Sequence, residues 1–231
     1  NSKNTEQMNI DRKHVWLALA KNVMVNGKII PNPHKTWKDV DPSLPNIKIE
    51  VLGPPPTSGT RDAFVELALQ GGCKKFSSIE AMRKTDKKGF EELCHTIRED
   101  GAYIEAGEND NLIISKLEQN PKALGVFGYS FLDQNKDKIQ GSIVEGNAPT
   151  FKNISSGKYP VSRSLYFYIK NAHVGKIPGI SEYIAEFTSE KSFGTGGYLQ
   201  EKGLIPSPDA ERAEVRTNAL GLSLEWLADF N

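Results

Sequence analysis

One short stretch of the 231 residues combines the residue types that bind an oxyanion: Thr57-Ser58-Gly59-Thr60-Arg61-Asp62, directly behind Gly53-Pro54-Pro55-Pro56. Ala63, Phe64, Leu67 and Ala68 follow at helical spacing, so the stretch is expected to open a helix with those four on its apolar face. The first amides of a helix lack intrahelical acceptors and carry the positive end of the macrodipole, so a helix start can hold an anion. Gly59 removes a Cβ that would crowd the anion, Ser58 and Thr60 add hydroxyls, and Arg61 adds a planar fork suited to phosphate or carboxylate oxygens. Consecutive prolines stiffen the approach to this turn. The competing reading is that Ser58 or Thr57 acts only as a helix N-cap.

Glu108-Asn109-Asp110-Asn111 is a second helix start, ahead of Leu112, Ile113 and Leu117. Simple capping explains it. Open α/β sheets, however, gather helix starts at the carboxyl ends of their strands, and Asn109 and Asn111 could then join the same site. Other chemistry finds little support. The chain lacks a Gly-x-x-x-x-Gly-Lys-Ser/Thr loop, a Gly-x-Ser-x-Gly elbow and a His-Glu-x-x-His helix. Phe193-Gly194-Thr195-Gly196-Gly197-Tyr198 has no following lysine and reads as a loop, and His95 sits on a different helix from Ser58. No catalytic residue, cofactor or metal site is expected. Cys73 and Cys94, the whole cysteine inventory, leave three readings open: a disulfide, two buried thiols or a metal pair. A disulfide closing a loop of about 20 residues would contribute ~3 kcal/mol in an oxidising compartment.

The elements that must carry these residues follow from periodicity. Asp11 to Lys21 reads as a helix capped by Asn9 and ended by Gly27; Ile30 to Pro45 is a turn-rich connection packed by Trp37. Ile47, Ile49 and Val51 alternate into a strand that stops at the prolines. Gly71-Gly72 is expected to close the helix begun at Ser58. Asp86 to Glu99 places Phe90, Leu93, Cys94 and Ile97 on one face, with Cys94 inward. Gly101 to Ala106 reads as a short strand, Leu124 to Phe131 and Val161 to Ile169 as long β-rich runs fit for central strands, and Ile180 to Phe187 and Pro208 to Leu220 as helices. Strands alternating with helices predict an α/β protein with a largely parallel sheet.

Composition excludes some functions. Lys+Arg 29 balances Asp+Glu 29, which argues against a nucleic-acid partner or a polybasic membrane surface. No apolar run approaches the ~20 residues of a membrane span. The N-terminus has no signal pattern and reads as a mature or trimmed chain.

Gly53 to Phe64 resembles the anion-binding turn of the phosphate-binding proteins that serve Pst-type ABC importers. Leu124-Gly-Val-Phe-Gly128-Tyr129-Ser-Phe131, Tyr159-Pro160-Val-Ser162-Arg163-Ser-Leu165-Tyr166 and Gly203-Leu204-Ile205-Pro206 extend the resemblance in order along the chain. It implies a periplasmic-binding-protein type II-like fold: two lobes of mixed or parallel sheet flanked by helices, joined by a hinge, with phosphate held between them. It assigns residues 1–8 to a hinge crossing, 9–160 to lobe 2, 161–170 to a return hinge strand and 171–231 to the C-terminal part of lobe 1, whose first part is absent from this sequence. Ser58, Gly59 and Thr60 match the family's phosphate turn. Many relatives carry an arginine where this chain has Pro54, so Arg61 is the candidate guanidinium, with Asp62 either orienting it or stabilising the helix start. The Cys73/Cys94 pair resembles the Gram-negative form of the family. The implied function is a non-enzymatic, periplasmic, monomeric phosphate-binding subunit that delivers inorganic phosphate to an ABC permease. Without the first segment and its proton-accepting carboxylate, weaker affinity and weaker discrimination against sulfate are expected. The alternatives are a binding or adhesion module that keeps the fold without transport, and a phosphatase-like enzyme with Ser58 as nucleophile.

Overall fold

Asn9 does not cap the first helix: in the computed structural model, which describes residues 1–222, it lies in strand β1 (Asn9–Ile10), paired in parallel with Ile143–Val144. That pairing holds the backbone extended through Ile10, so the switch to helix falls at Asp11, the N-cap of α1 (Arg12–Leu19), whose N–H donates to His14 Nδ1 at 3.1 Å. Val15, Trp16, Ala18 and Leu19 of α1 are buried. Gly27 does not close this helix either. It turns a hairpin of β2 (Asn22–Val25) and β3 (Lys28–Pro31), with Asn26 at φ 49° and Gly27 at φ 78°. Two successive positive φ values match the twist of a two-residue hairpin and favour Asn-Gly. Trp37, buried at the start of α2 (Trp37–Val40), packs the following connection as expected.

Strand β4 (Val51–Gly53) ends at the prolines, and α3 (Gly59–Phe64) begins behind Ser58. Gly71-Gly72 does not close this helix. It runs on through a π-helical turn at Val65–Gln70 into α4 (Gly71–Cys73). Gly72 is a packing glycine: a Cβ there would stand 2.0 Å from the Arg12 carbonyl of α1. The wider π turn also shifts the buried face, so that Ala68 and Leu69 are buried while Leu67 is only half-buried.

α5 (Ser77–Thr85) and α6 (Lys87–His95) follow, with Phe90 and Cys94 of α6 turned inward. Cys94 is disulfide-bonded to Cys73, which removes both sulfurs from metal ligation and from the free-thiol reading. Then come β5 (Tyr103–Glu105), α7 (Asp110–Gln119), β6 (Leu124–Gly125), α8 (Tyr129–Gln134) and β7 (Ile143–Val144). The expected strand from Leu124 to Phe131 is shorter: the ladder stops at Gly125, Val126 N–H still donates to the Leu52 carbonyl, and Gly128 caps α8. β5, β4 and β6 form a parallel sheet in that order, Val51 standing opposite both Tyr103 and Leu124. Both faces are covered. Val51 belongs to the larger apolar cluster with Trp16, Leu69 and Cys94, whereas Leu52 packs with Ile113, Ile114 and Leu117 of α7.

The chain folds as two compact units, Asn1–Thr150 with Tyr159–Ser162 and Phe151–Lys158 with Arg163–Asn231. Everything above belongs to the first unit. The second contains α9 (Phe151–Ser155), α10 (Ile180–Phe187), α11 (Glu190–Phe193) and α12 (Asp209–Leu220). Arg212, almost fully buried, donates to Glu190 and Asp209 and to the Ser207 carbonyl. Residues 223–231, the end of the expected C-terminal lobe segment, lie outside the described residues. Among the described residues Val161 to Ile169 is not assigned as a strand, contrary to expectation, and Leu165 and Tyr168 are each 77% exposed. β-rich composition makes a ladder only where a neighbour offers an edge.

The first unit yields two stability predictions. Replacing Cys73 and Cys94 by serine should cost about 3 kcal/mol in chemical denaturation, and reductant should lower the wild-type midpoint without affecting the variant. Arg98, buried, donates to the carbonyls of Ala18 and His34 and to the Asp100 carboxylate, and this last bond is the main cause holding the Asp100 carboxyl down at about 2. A depressed folded value stabilises above the ordinary carboxylate range and is lost as pH falls. Asp100→Asn should therefore cost about 1 kcal/mol at pH 7, a figure held low because Asp100 is partly exposed, and the gap to wild type should close in acid.

Candidate functional site

Because the β5-β4-β6 sheet is parallel, its strands leave at one edge, and three helices begin there. α3 starts after β4, α7 after β5 and α8 after β6. Side chains stitch the starts together: Thr57 Oγ1 donates to Glu108 Oε1 at 2.7 Å, and Gly128 N–H reaches Asp110 Oδ2 at 3.4 Å. The first link joins the Ser58 turn to the Asn109 cap, so the structure brings the two helix starts of the sequence reading to the same sheet edge.

At the first start, Ser58 is a working N-cap: its Oγ accepts from Thr60 N–H at 3.2 Å, and its carbonyl accepts from Arg61 and Asp62 N–H. Capping uses a lone pair of the hydroxyl and leaves its O–H free to donate, so the capping and anion-holding readings of Ser58 are compatible. Gly59 is exposed, and a Cβ there would meet nothing within 4 Å. Asn109 caps α7 in the same way, its Oδ1 accepting from Asn111 N–H at 3.0 Å. Asn111 is itself exposed.

Arg61 takes its contacts from Pro54 and Tyr103 rather than from Asp62, which is exposed in the first turn of α3. Its Nη1 donates to the Pro54 carbonyl at 3.3 Å, and its guanidinium carbon stands 4.3 Å from the centre of the Tyr103 ring. The Tyr103 hydroxyl donates to the same Pro54 carbonyl at 2.9 Å, and Phe64 stacks against the ring at 6.4 Å. Burial pushes the Tyr103 phenol up from its ordinary value, with Arg61 acting in the opposite sense. Gly53 makes room for this arrangement: a Cβ there would stand 2.1 Å from the Tyr103 hydroxyl.

Carboxylates border the cluster. Burial raises the Asp110 carboxyl, while the Gly128 N–H lowers it. The histidines of the first unit are engaged elsewhere, His95 with Gln70 at 2.7 Å, His34 with the Leu17 carbonyl and His14 with Asp11. No group of three or more potential metal ligands occurs among the described residues.

The PBP superfamily domain model matches residues 1–191. The chain belongs to that superfamily. It is 31% identical over 187 residues to the phosphate-binding protein PstS of Staphylococcus haemolyticus, covering 79% of this chain and 49% of that protein. For PstS of Staphylococcus saprophyticus the identity is 28% over 188 residues, with the same shares of 79% and 49%. The chain thus spans about half the length of the curated relatives it matches. Among solved structures it resembles a possible phosphate binding protein from Planctomyces limnophilus, with TM-score 0.61 and 23% identity over 96% of this chain and 67% of that one. PstS from Borrelia burgdorferi gives TM-score 0.55 and 19% identity over 90% and 67%. At these identities the structural likeness bears on the fold: an α/β binding-protein architecture, with a parallel sheet flanked by helices.

Sequence reasoning missed Tyr103, the bond from Thr57 to Glu108 and the α8 start. Gly128-Tyr129-Ser130 carried the signal for α8, a glycine after a short strand followed by a cap-type residue, but the apolar run around it reads as strand. The contact at Gly53 is testable. Gly53→Ala should push the Tyr103 ring out of its slot and cost ~1–3 kcal/mol, read as a lowered denaturation midpoint.

Proposed function

We propose that this chain binds inorganic phosphate at the sheet edge where α3, α7 and α8 begin. The observation that carries the reading is the Ser58-Gly59-Thr60 turn at the head of α3, with the Arg61 guanidinium against the end of β4. The turn offers the Ser58 hydroxyl, the Gly59 N–H and the Thr60 hydroxyl as donors, and Arg61 adds charge-assisted donors beyond the one bonded to Pro54. Asp62, exposed on the same turn, is the carboxylate that would have to accept the proton of a monohydrogen phosphate in place of the family's acceptor, so a preference over sulfate narrower than the family's is expected. Asn109 and Asn111 border the second helix start, joined to the first through Glu108 and Thr57.

The wider role is that of an extracytoplasmic, periplasmic and monomeric binding subunit that passes phosphate to the membrane permease of an ABC importer. It involves neither catalysis nor nucleic acid. Similarity to proteins named as phosphate-binding supports the ligand, and the Cys73–Cys94 disulfide supports an oxidising compartment. A division into two compact units, between which the chain passes three times, supports the two-lobed reading.

Calorimetric titration of phosphate into anion-free protein, with sulfate as control, tests the ligand. Phosphate is expected to bind more tightly than sulfate. Arg61→Ala is expected to weaken phosphate binding about tenfold or more, the range for loss of a charge-assisted contact. Unchanged affinity in that variant would remove Arg61 from the site, and absence of phosphate uptake by the wild type would overturn the reading.

A further inference from the structure

We infer that Tyr103 is a positioning residue for anion binding, fixing the Arg61 guanidinium at the end of β4. This rests on the phosphate reading above and adds the means by which its charged donor is held. Arginine on the first turn of an exposed helix would ordinarily sample many rotamers, and a guanidinium averaged over them offers no fixed donors. Here it is restricted twice. The guanidinium carbon lies 4.3 Å from the Tyr103 ring centre, and Nη1 donates to the Pro54 carbonyl that the Tyr103 hydroxyl also binds.

Tyr103 is itself held from several sides. Its backbone pairs with Val51 in the sheet, Phe64 stacks on its ring, its hydroxyl is anchored at 2.9 Å, and the missing Cβ of Gly53 leaves the slot for its phenol. Position thus passes from sheet to tyrosine to arginine. The ring holds the guanidinium carbon at cation–π distance, and the N–H groups not engaged by Pro54 or Tyr103 are the donors open to an oxyanion. Phe64 would pack equally well against a purely apolar residue at 103. A hydroxyl and an electron-rich face are what Arg61 and Pro54 require.

A double-mutant cycle with calorimetric titration of inorganic phosphate separates positioning from packing. Tyr103→Leu is expected to raise the Kd about tenfold, and Tyr103→Phe, which keeps the ring face, about threefold or less. In an Arg61→Gln background, Tyr103→Leu should cause no further loss, because the group it positions is gone. Equal Kd for wild type and Tyr103→Leu would overturn the inference. So would a Tyr103→Leu loss that persists in full beside Arg61→Gln, which would mean that Tyr103 acts through the strand rather than through arginine. A wild type that takes up no phosphate would overturn the underlying reading and the inference with it, an outcome distinct from both. Should Tyr103→Leu fail to fold by circular dichroism, Tyr103→Met, which fills more of the space against Phe64, runs the same cycle.

Discussion

β4 is hydrogen-bonded in parallel to β5 on one side and β6 on the other, and this pairing governs where everything else must go. A parallel neighbour cannot be reached by a tight turn, so each strand must exit, cross through a helix and return. All three exits then lie at one edge, and α3, α7 and α8 point their amino ends at it. Three such ends side by side concentrate partial positive charge and unsatisfied amides in one place. Left alone they would disfavour the fold. Asp62, Glu108 and Asp110 in or beside the first turns, and the Ser58 and Asn109 caps, offset part of that cost. The helix starts supply the positive potential, and the carboxylates and caps that stabilise them compete for the same amide donors, so only the donors left over face outward.

Much of this was legible because it is local. The proline stop after Gly53, the helix start behind Ser58, the Asn109 cap and the inward Cys94 each depend on residues within a turn or two of one another, and each stands in the structure. The parallel α/β pattern was equally readable. What escaped depended on distant partners. Asn9 is a good cap by type but is held extended by Ile143; Gly72 is a helix breaker by type but is required by the Arg12 backbone. Val161 to Ile169 has strand composition, yet composition does not supply a neighbouring edge. The hairpin at Asn26-Gly27 is different. Its turn signal was local and plain, and the helical pattern ahead of it drew the element boundary too far.

The candidate site divides along the same line. Ser58, Gly59 and Thr60 stood out as candidates because a helix start announces itself in consecutive residues. Tyr103 could not, since it lies 42 positions (103 − 61) beyond Arg61 and meets it only through the register of β5 on β4. The clue available was the glycine at 53, and a glycine before prolines reads as a turn.

Strand ending, arginine placement and tyrosine anchoring meet at one atom, the Pro54 carbonyl oxygen. The ladder ends at Gly53, whose carbonyl accepts from Ala106 N–H, so the Pro54 carbonyl one residue on has no ladder donor. A buried carbonyl in that state must be satisfied from elsewhere, and here Arg61 and Tyr103 both donate to it. The carbonyl just past the strand end therefore also helps to fix where the guanidinium stands. An arginine at position 54 would place its charge from the strand; Arg61 reaches the same carbonyl from the helix, seven residues on. Either route brings a cation to one strand end, and what decides the geometry is the carbonyl that receives it and the ring that supports it.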